Sequence, residues 1–412
     1  MIKEGKMHTV AFGHVIRQWG AGLLAKASVL FLALLACGCA GPLALQNAVI
    51  GYDETTAHLE QQLLLLNIAR TDSELPVHFT TTSSIAATFD WTATVGIARQ
   101  LQDSPGTDFW NFNLGASASE NPTFSIVPIS GEDFTKRILT PFKEDVFEFL
   151  VYQGARIDRV MRLMSRGIEV QKPDGSFNRF IENNPRRPQE YEEFRRIALH
   201  LQWLNANRHL FVRDLVFEEI LVADFKEVLS AEDINNGFNM GLTWRQKPDG
   251  KYKLTRFRAG KVVVTNYDPQ ALTDQERFAL DEKVKRNPAG FVYVDVRPGD
   301  PGGDFPIQGG IKLRSINAII KFIANGIQAA PEFPVENDSR TGSIYENPSV
   351  TLKINVTDTP PPTNVPSIKY RGKYYSVGDT QWDRTTFVVL SSLFQTAVGD
   401  VEDVGIPVTI SK

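Results

Sequence analysis

Few residues of this chain have the type and spacing to do chemistry. Cys37 and Cys39 are its two thiols in 412 residues, and both stand at the end of an apolar run from Ala27 to Ala36. A thiol so placed can carry an acyl group; the bland alternative is a cleaved leader with two incidental cysteines. With no third cysteine, the folded body can form no disulfide of its own. Beyond the leader the histidines are His58, His78, His200 and His209. His200 and His209 lack the spacing of a paired metal site and read as ordinary core or surface residues. Asp300 and Asp304 sit in a Gly/Pro-rich loop, where two carboxylates fall short of the six to eight oxygens that calcium takes. Glu190, Glu192, Glu193, Arg195 and Arg196 read as the solvated face of a helix. No phosphate loop, zinc helix motif or nucleophile–base pair is present. The expectation is therefore no catalytic residue, no metal, no cofactor and no enzyme.

The elements around the thiols explain their placement. Lys3, Lys6, Arg17 and Lys26 precede the apolar run, the layout of a secretory signal. Ten apolar residues are too short a span for a membrane helix, which needs about 20. Leu34, Leu35, Ala36 and Cys37 resemble the lipobox of bacterial lipoproteins. The resemblance implies a diacylglycerol thioether on Cys37, cleavage before it, acylation (palmitate or a similar chain) of the new amino group, and Cys39 as second choice. Gly38 in place of the inner-membrane Asp implies the outer membrane, with the body in the periplasm. Residues 1–36 are then the signal peptide and 37–51 a lipidated tether.

Composition narrows the partners. Lys plus Arg number 44 against 48 Asp plus Glu, and the chain is 42% hydrophobic, so it is neither disordered nor a nucleic-acid binder. Loss of the signal removes four basic residues and one acidic residue, leaving a net charge of −7. An acidic body is not drawn to anionic lipid, so the acyl chains must do the anchoring.

The periodicities predict an α+β fold, mainly antiparallel, with a long amphipathic β-hairpin and several packed helices. A helix is expected over 55–70, with Leu59, Leu63, Leu66 and Ile68 on its apolar stripe. Ser130 to Asp133 suggests a capping box, Thr140-Pro141 a second helix start, and Thr273 to Glu276 another capping box. The repeated Gln-Lys-Pro-Asp-Gly at 171–175 and 246–250 reads as two hairpin turns. Helices are expected at 156–165, 189–205, 314–327 and 383–398, with strands at 291–296 and 406–410. Residues 52–335 form the expected body, and 350–412 a C-terminal hairpin, helix and strand unit after a flexible segment.

The sharpest pattern lies at 77–119. Ile85, Phe89, Trp91, Val95 and Ile97 alternate with polar or small residues; beyond a turn at 103–108 the alternation resumes in Trp110, Phe112 and Leu114. That is a strand pair with one apolar face. The face either packs on the protein's own helices or, being long enough for bilayer strands with aromatic belts, enters a membrane. One hairpin cannot close a barrel, so the second reading requires a ring of subunits.

Further segments resemble a group of proteobacterial envelope lipoproteins. They are Gln62 to Arg70, Phe79 with Ser83 to Ile85, Pro122 to Phe124, Pro128 to Phe134, Leu139 to Pro141, and Tyr370 to Tyr375 before Phe387, Leu390, Leu393 and Phe394. The resemblance implies a shared architecture and an envelope location, and it implies no activity. Function is expected as a structural or accessory subunit of an envelope assembly, with membrane contact through the anchor and other envelope proteins or self-association as partners. An oligomeric export channel built from the 77–119 hairpins is the alternative; a periplasmic enzyme comes last.

Overall fold

A computed structural model describes residues 46, 49–100, 109–172, 175–225 and 228–399, and within 81–126 and at 219 and 223 it describes backbone alone. Cys37, Cys39, the signal peptide, most of the tether, the turn at 103–108 and the strand expected at 406–410 lie outside the described residues. The chain divides into two compact units, Met1–Gln62 and Leu63–Lys412. Helical residues of the first unit run from 49, where Thr55 and Thr56 hydroxyls donate to carbonyls one turn back.

In the second unit the same helix (α1, residues 49–72) buries Leu64, Leu65, Ile68 and Ala69. Of the expected stripe Leu59, Leu63, Leu66 and Ile68, only Ile68 is buried; Leu59 is exposed and Leu63 and Leu66 are half-buried, which moves the stripe. Asn67 sets the face: its amide donates to the His78 carbonyl at 3.1 Å and its oxygen accepts from the His78 amide at 2.9 Å. Strands β1 (Thr80–Gln100) and β2 (Phe109–Pro128) follow. Next comes the short turn α2 (Gly131–Asp133), which runs into a π-type helix, Phe134–Leu139. The capping box expected at Ser130 is not formed. Gly131 lies at φ +62, so the first turn is not helical where the box would need it, and the Ser130 side chain caps nothing.

Helix α3 spans Glu144–Tyr152 and α4 Ile157–Met164. The helix expected from Thr140 starts later because Thr140 closes the preceding π turn onto the Thr135 carbonyl, and Phe142 donates to Arg314. Strands β3 (Ser165–Gln171) and β4 (Phe177–Glu182), helix α5 (Pro188–Ala206) and strand β5 (Phe211–Phe225) come next. They lead to α6 (Ala231–Asn239), β6 (Thr243–Gln246), β7 (Tyr252–Thr265), α7 (Asp274–Lys285), β8 (Phe291–Val296), β9 (Ile307–Leu313) and α8 (Ile316–Ile327). The chain ends in β10 (Ile354–Thr357), β11 (Ser367–Tyr370), β12 (Lys373–Val377) and α9 (Gln381–Val398). Both Gln-Lys-Pro-Asp-Gly repeats connect antiparallel partners, β3 to β4 and β6 to β7. Thr273 and Glu276 form the expected box, and Ser230 with Asp233 forms another.

The fold is α+β. A sheet in the order β4-β3-β9-β8-β7-β5, with β6 also on β7, makes its one parallel pair between β7 and β8, across α7. A parallel neighbour requires such a crossover. Every residue of the central β8 is buried, so it lacks alternation. Gly309 permits close strand contact there: a Cβ would sit 2.0 Å from the Glu169 carbonyl oxygen. A smaller sheet runs β10-β12-β11. One core joins both sheets to the helices. Ile316, Ile319, Ile320 and Ile323 of α8, and Phe387, Leu390, Leu393 and Phe394 of α9, enter it. Each such side chain contributes roughly 1.5–3 kcal/mol.

Candidate functional site

The β1–β2 hairpin is the part of the fold that this chain leaves incomplete. Its two strands form a sheet of their own, and among the described residues neither outer edge pairs with another strand. β2 also runs on to Pro128, beyond the expected limit at 119.

The root is built firmly. Ile129 donates its amide to Phe79 at 2.9 Å, below the last strand pair, Thr80 with Pro128. Phe79 is 1% exposed and packs against Phe134 and Phe394, with ring centroids 6.2 and 5.8 Å away. Asn67 holds both backbone groups of His78, while Tyr375 donates to Asp72 at 2.9 Å.

Above the root the register decides which positions share a face. The side chains of Ile85, Phe89, Trp91, Val95, Ile97, Trp110, Phe112 and Leu114 lie outside the description; their backbone pairing does not. Trp91 stands opposite Ala118, Ala93 opposite Ala116, Val95 opposite Leu114, and Ile97 opposite Phe112. Paired positions of an antiparallel ladder share one face, so all eight candidate positions belong to a single face. The other face takes Asp90 with Ser119, Thr92 with Ser117, Thr94 with Gly115, and Gly96 with Asn113.

The register also places two charges, Arg99, which the alternation already sets on this face, and Glu120, which lies beyond the expected limit of the hairpin. On the apolar face Glu120 pairs with Phe89 and Arg99 with Trp110. Between these pairs the face carries no charge. At about 3.3 Å per residue they stand about 33 Å apart along the strand, or about 25 Å along a barrel axis at a tilt of 35–45°. Neither strand carries a proline over 90–100 or 109–119; Pro122 pairs with Ala87, nearer the root. Within that band both edges keep their N–H donors.

The body gathers charge differently. Arg195, expected on a solvated face, is 1% exposed. It donates to the Tyr191 hydroxyl, to Asn347 and to the carbonyls of Pro348 and Ser349. The correction has a physical cause, since Tyr191 apart its acceptors are some 150 residues away and no helical spacing reports them. Arg162 also holds Pro348 and Ser349 and pairs with buried Glu332 at 3.4 Å. Burial pushes the Glu332 carboxyl up, but Arg162 and hydrogen bonds from Thr351 and Tyr191 overcome it and hold the group below its ordinary range. Arg156, Arg159 and Arg162 surround the Trp382 ring, Arg159 at 4.2 Å. These contacts fix the loop at 346–351.

His200 is fully buried, with Thr341 at 2.9 Å and the Gly302 carbonyl at 3.0 Å, as a core histidine would be. Among the described residues no three His, Cys, Asp or Glu side chains gather as a metal would require, and no helix is long and apolar enough to cross a membrane. No family model, curated protein or solved structure matches the chain.

Proposed function

We propose that this chain is a lipid-anchored subunit of a bacterial outer-membrane assembly. Several copies pair their β1–β2 hairpins edge to edge into one membrane barrel, while the α+β bodies stay in the periplasm. It acts through assembly, without turnover of a substrate.

The observation that carries this reading is the isolated hairpin whose apolar face is uncharged between the Phe89–Glu120 and Arg99–Trp110 pairs. A lone two-stranded hairpin is marginal in water. Two free edges, with an apolar position set on one face and a polar one on the other, are completed by a ring whose outside meets lipid and whose lumen holds water. The aromatic positions at each end of the band suit the two bilayer interfaces. The leader and Cys37 support the anchor; metabolic labelling with palmitate, absent from a Cys37→Ser product, tests it.

Single cysteines on the hairpin test the barrel in native membranes. Thr92→Cys and Thr94→Cys should react with a water-soluble maleimide. Ala93→Cys and Val95→Cys should stay protected until detergent is added, and detergent extracts should contain a ring. Uniform labelling of all four positions, together with a monomeric extract, would return the hairpin to an accessory docking role.

A further inference from the structure

The second unit carries a cavity whose charge runs against that of the protein. It has a volume of about 540 Å³ and opens between the β3–β4 end of the main sheet and the start of α8. Its charged lining is Arg166, Arg186, Lys312, Arg314 and Lys321 against the single carboxylate of Glu182. Among the described residues none of the five cations is in an ion pair, whereas Glu182 is already paired with Arg187 at 3.0 Å. Five cations around one space repel one another, and an anionic guest would relieve that repulsion.

The cations divide into a fixed floor and a movable rim. Arg314 is 7% exposed. It is held by the carbonyls of Arg162, Leu163 and Asn183, and lies 3.9 Å from the centre of the Phe322 ring. Those carbonyls satisfy its donors without cancelling its charge, and burial works against the charged form. Arg166, Arg186 and Lys321 are exposed and free to close on a guest. Ser315, the N-cap of α8, also lines the space, so the positive end of that helix dipole faces it. The volume suits a small molecule or the headgroup of a larger one.

We propose that this cavity binds a phosphate-bearing ligand with at least two negative charges. Arginine forks and a compact, polyvalent oxyanion match in geometry as well as sign. A soluble compound and a lipid headgroup both present such a phosphate, and the two sources can be separated.

The test uses the full chain in neutral detergent, titrated calorimetrically with pyrophosphate and, separately, with dioctanoyl phosphatidic acid against dioctanoyl phosphatidylcholine. Binding of pyrophosphate assigns a soluble source; binding of the phosphatidate alone assigns a headgroup. In either case Arg166→Gln/Arg186→Gln/Lys321→Gln should weaken binding at least about tenfold. The exposed control Lys172→Gln/Lys373→Gln should leave it unchanged. Should the triple variant lose its fold, Arg186→Gln alone is expected to weaken binding about threefold. Absence of binding by both probes, or affinity that the rim substitutions do not alter, overturns the proposal. None of these residues lies on the hairpin, so the outcome is separable from the fate of the barrel.

Discussion

Two stretches of this chain lack regular neighbours, and they are completed in opposite ways. Residues 331–353 contain neither helix nor strand, yet the body completes them from within. Arg156 reaches the Glu346 carbonyl, Arg162 and Arg195 share those of Pro348 and Ser349, Glu332 accepts from the Thr351 amide, and Asp383 from that of Lys353. β1 and β2 pair in unbroken register from Ser84 to Gln100, yet nothing described in the chain completes their edges. Regularity is thus no guide to self-sufficiency. An irregular loop whose carbonyls at 346, 348 and 349 are held by buried or half-buried arginines is fixed by the body, while a strand pair with open edges is half of an interface.

The largest effect that would break this contrast is expected at Glu332. Glu332→Gln leaves Arg162 buried beside Arg195 without a countercharge, at a cost of about 3–5 kcal/mol, and urea unfolding of the detergent-solubilised chain should show it. A loss under 1 kcal/mol would mean that the loop is not held by this pair. Next comes the hairpin root. Asn67→Ala strips both His78 backbone groups of their partner, for about 1–3 kcal/mol, and hydrogen exchange should rise at His78 while the main sheet keeps its protection.

What could be read beforehand follows from the range of each interaction. Alternation from Ile85 to Ile97 and the repeated Gln-Lys-Pro-Asp-Gly turns are local, and the strands formed where the pattern stood. Thr273 and Glu276 cap α7 because their hydrogen bonds close within three residues. Ser130 with Asp133 has the same letters as the box formed by Ser230 and Asp233, but Gly131 at positive φ bends the chain away. Arg195 was illegible because its place among glutamates suggests i,i+4 pairs, whereas all its acceptors but Tyr191 come from beyond residue 346. The basic cavity draws on positions 166, 186, 312, 314 and 321, which only the pairing of β3 with both β4 and β9 brings together. Glu120 and Arg99 were visible as letters, and became boundary marks once the register placed each opposite an aromatic residue.

A smaller effect distinguishes the body by pH. Burial lowers the His200 pKa below its ordinary 6.5, the nearby Arg340 adding to it against the Gly302 carbonyl and Asp338. The unfolded chain therefore takes up a proton near 6.5 that the folded chain takes up only at lower pH. Stability attributable to His200 is complete above 6.5 and falls as the pH drops toward the folded-state value, by at most about 1.4 kcal/mol per pH unit. His200→Gln should flatten that part of the pH–stability curve; an unchanged slope would place the acid sensitivity elsewhere.

The smallest effect on the body, and the sharpest test of the comparison, comes from removing the hairpin altogether. The Ile129 amide already donates to the Phe79 carbonyl, which is the closing bond of a two-residue turn. Replacing residues 80–128 by Asn-Gly should therefore join the root without strain. Phe79 keeps Phe134 and Phe394, and His78 keeps Asn67. The body should lose no more than about 0.5 kcal/mol, as for a change outside the core, while the membrane assembly disappears completely. If excision instead unfolds the body, the hairpin's apolar face is spent on the protein's own core, and the barrel has no surface left from which to form.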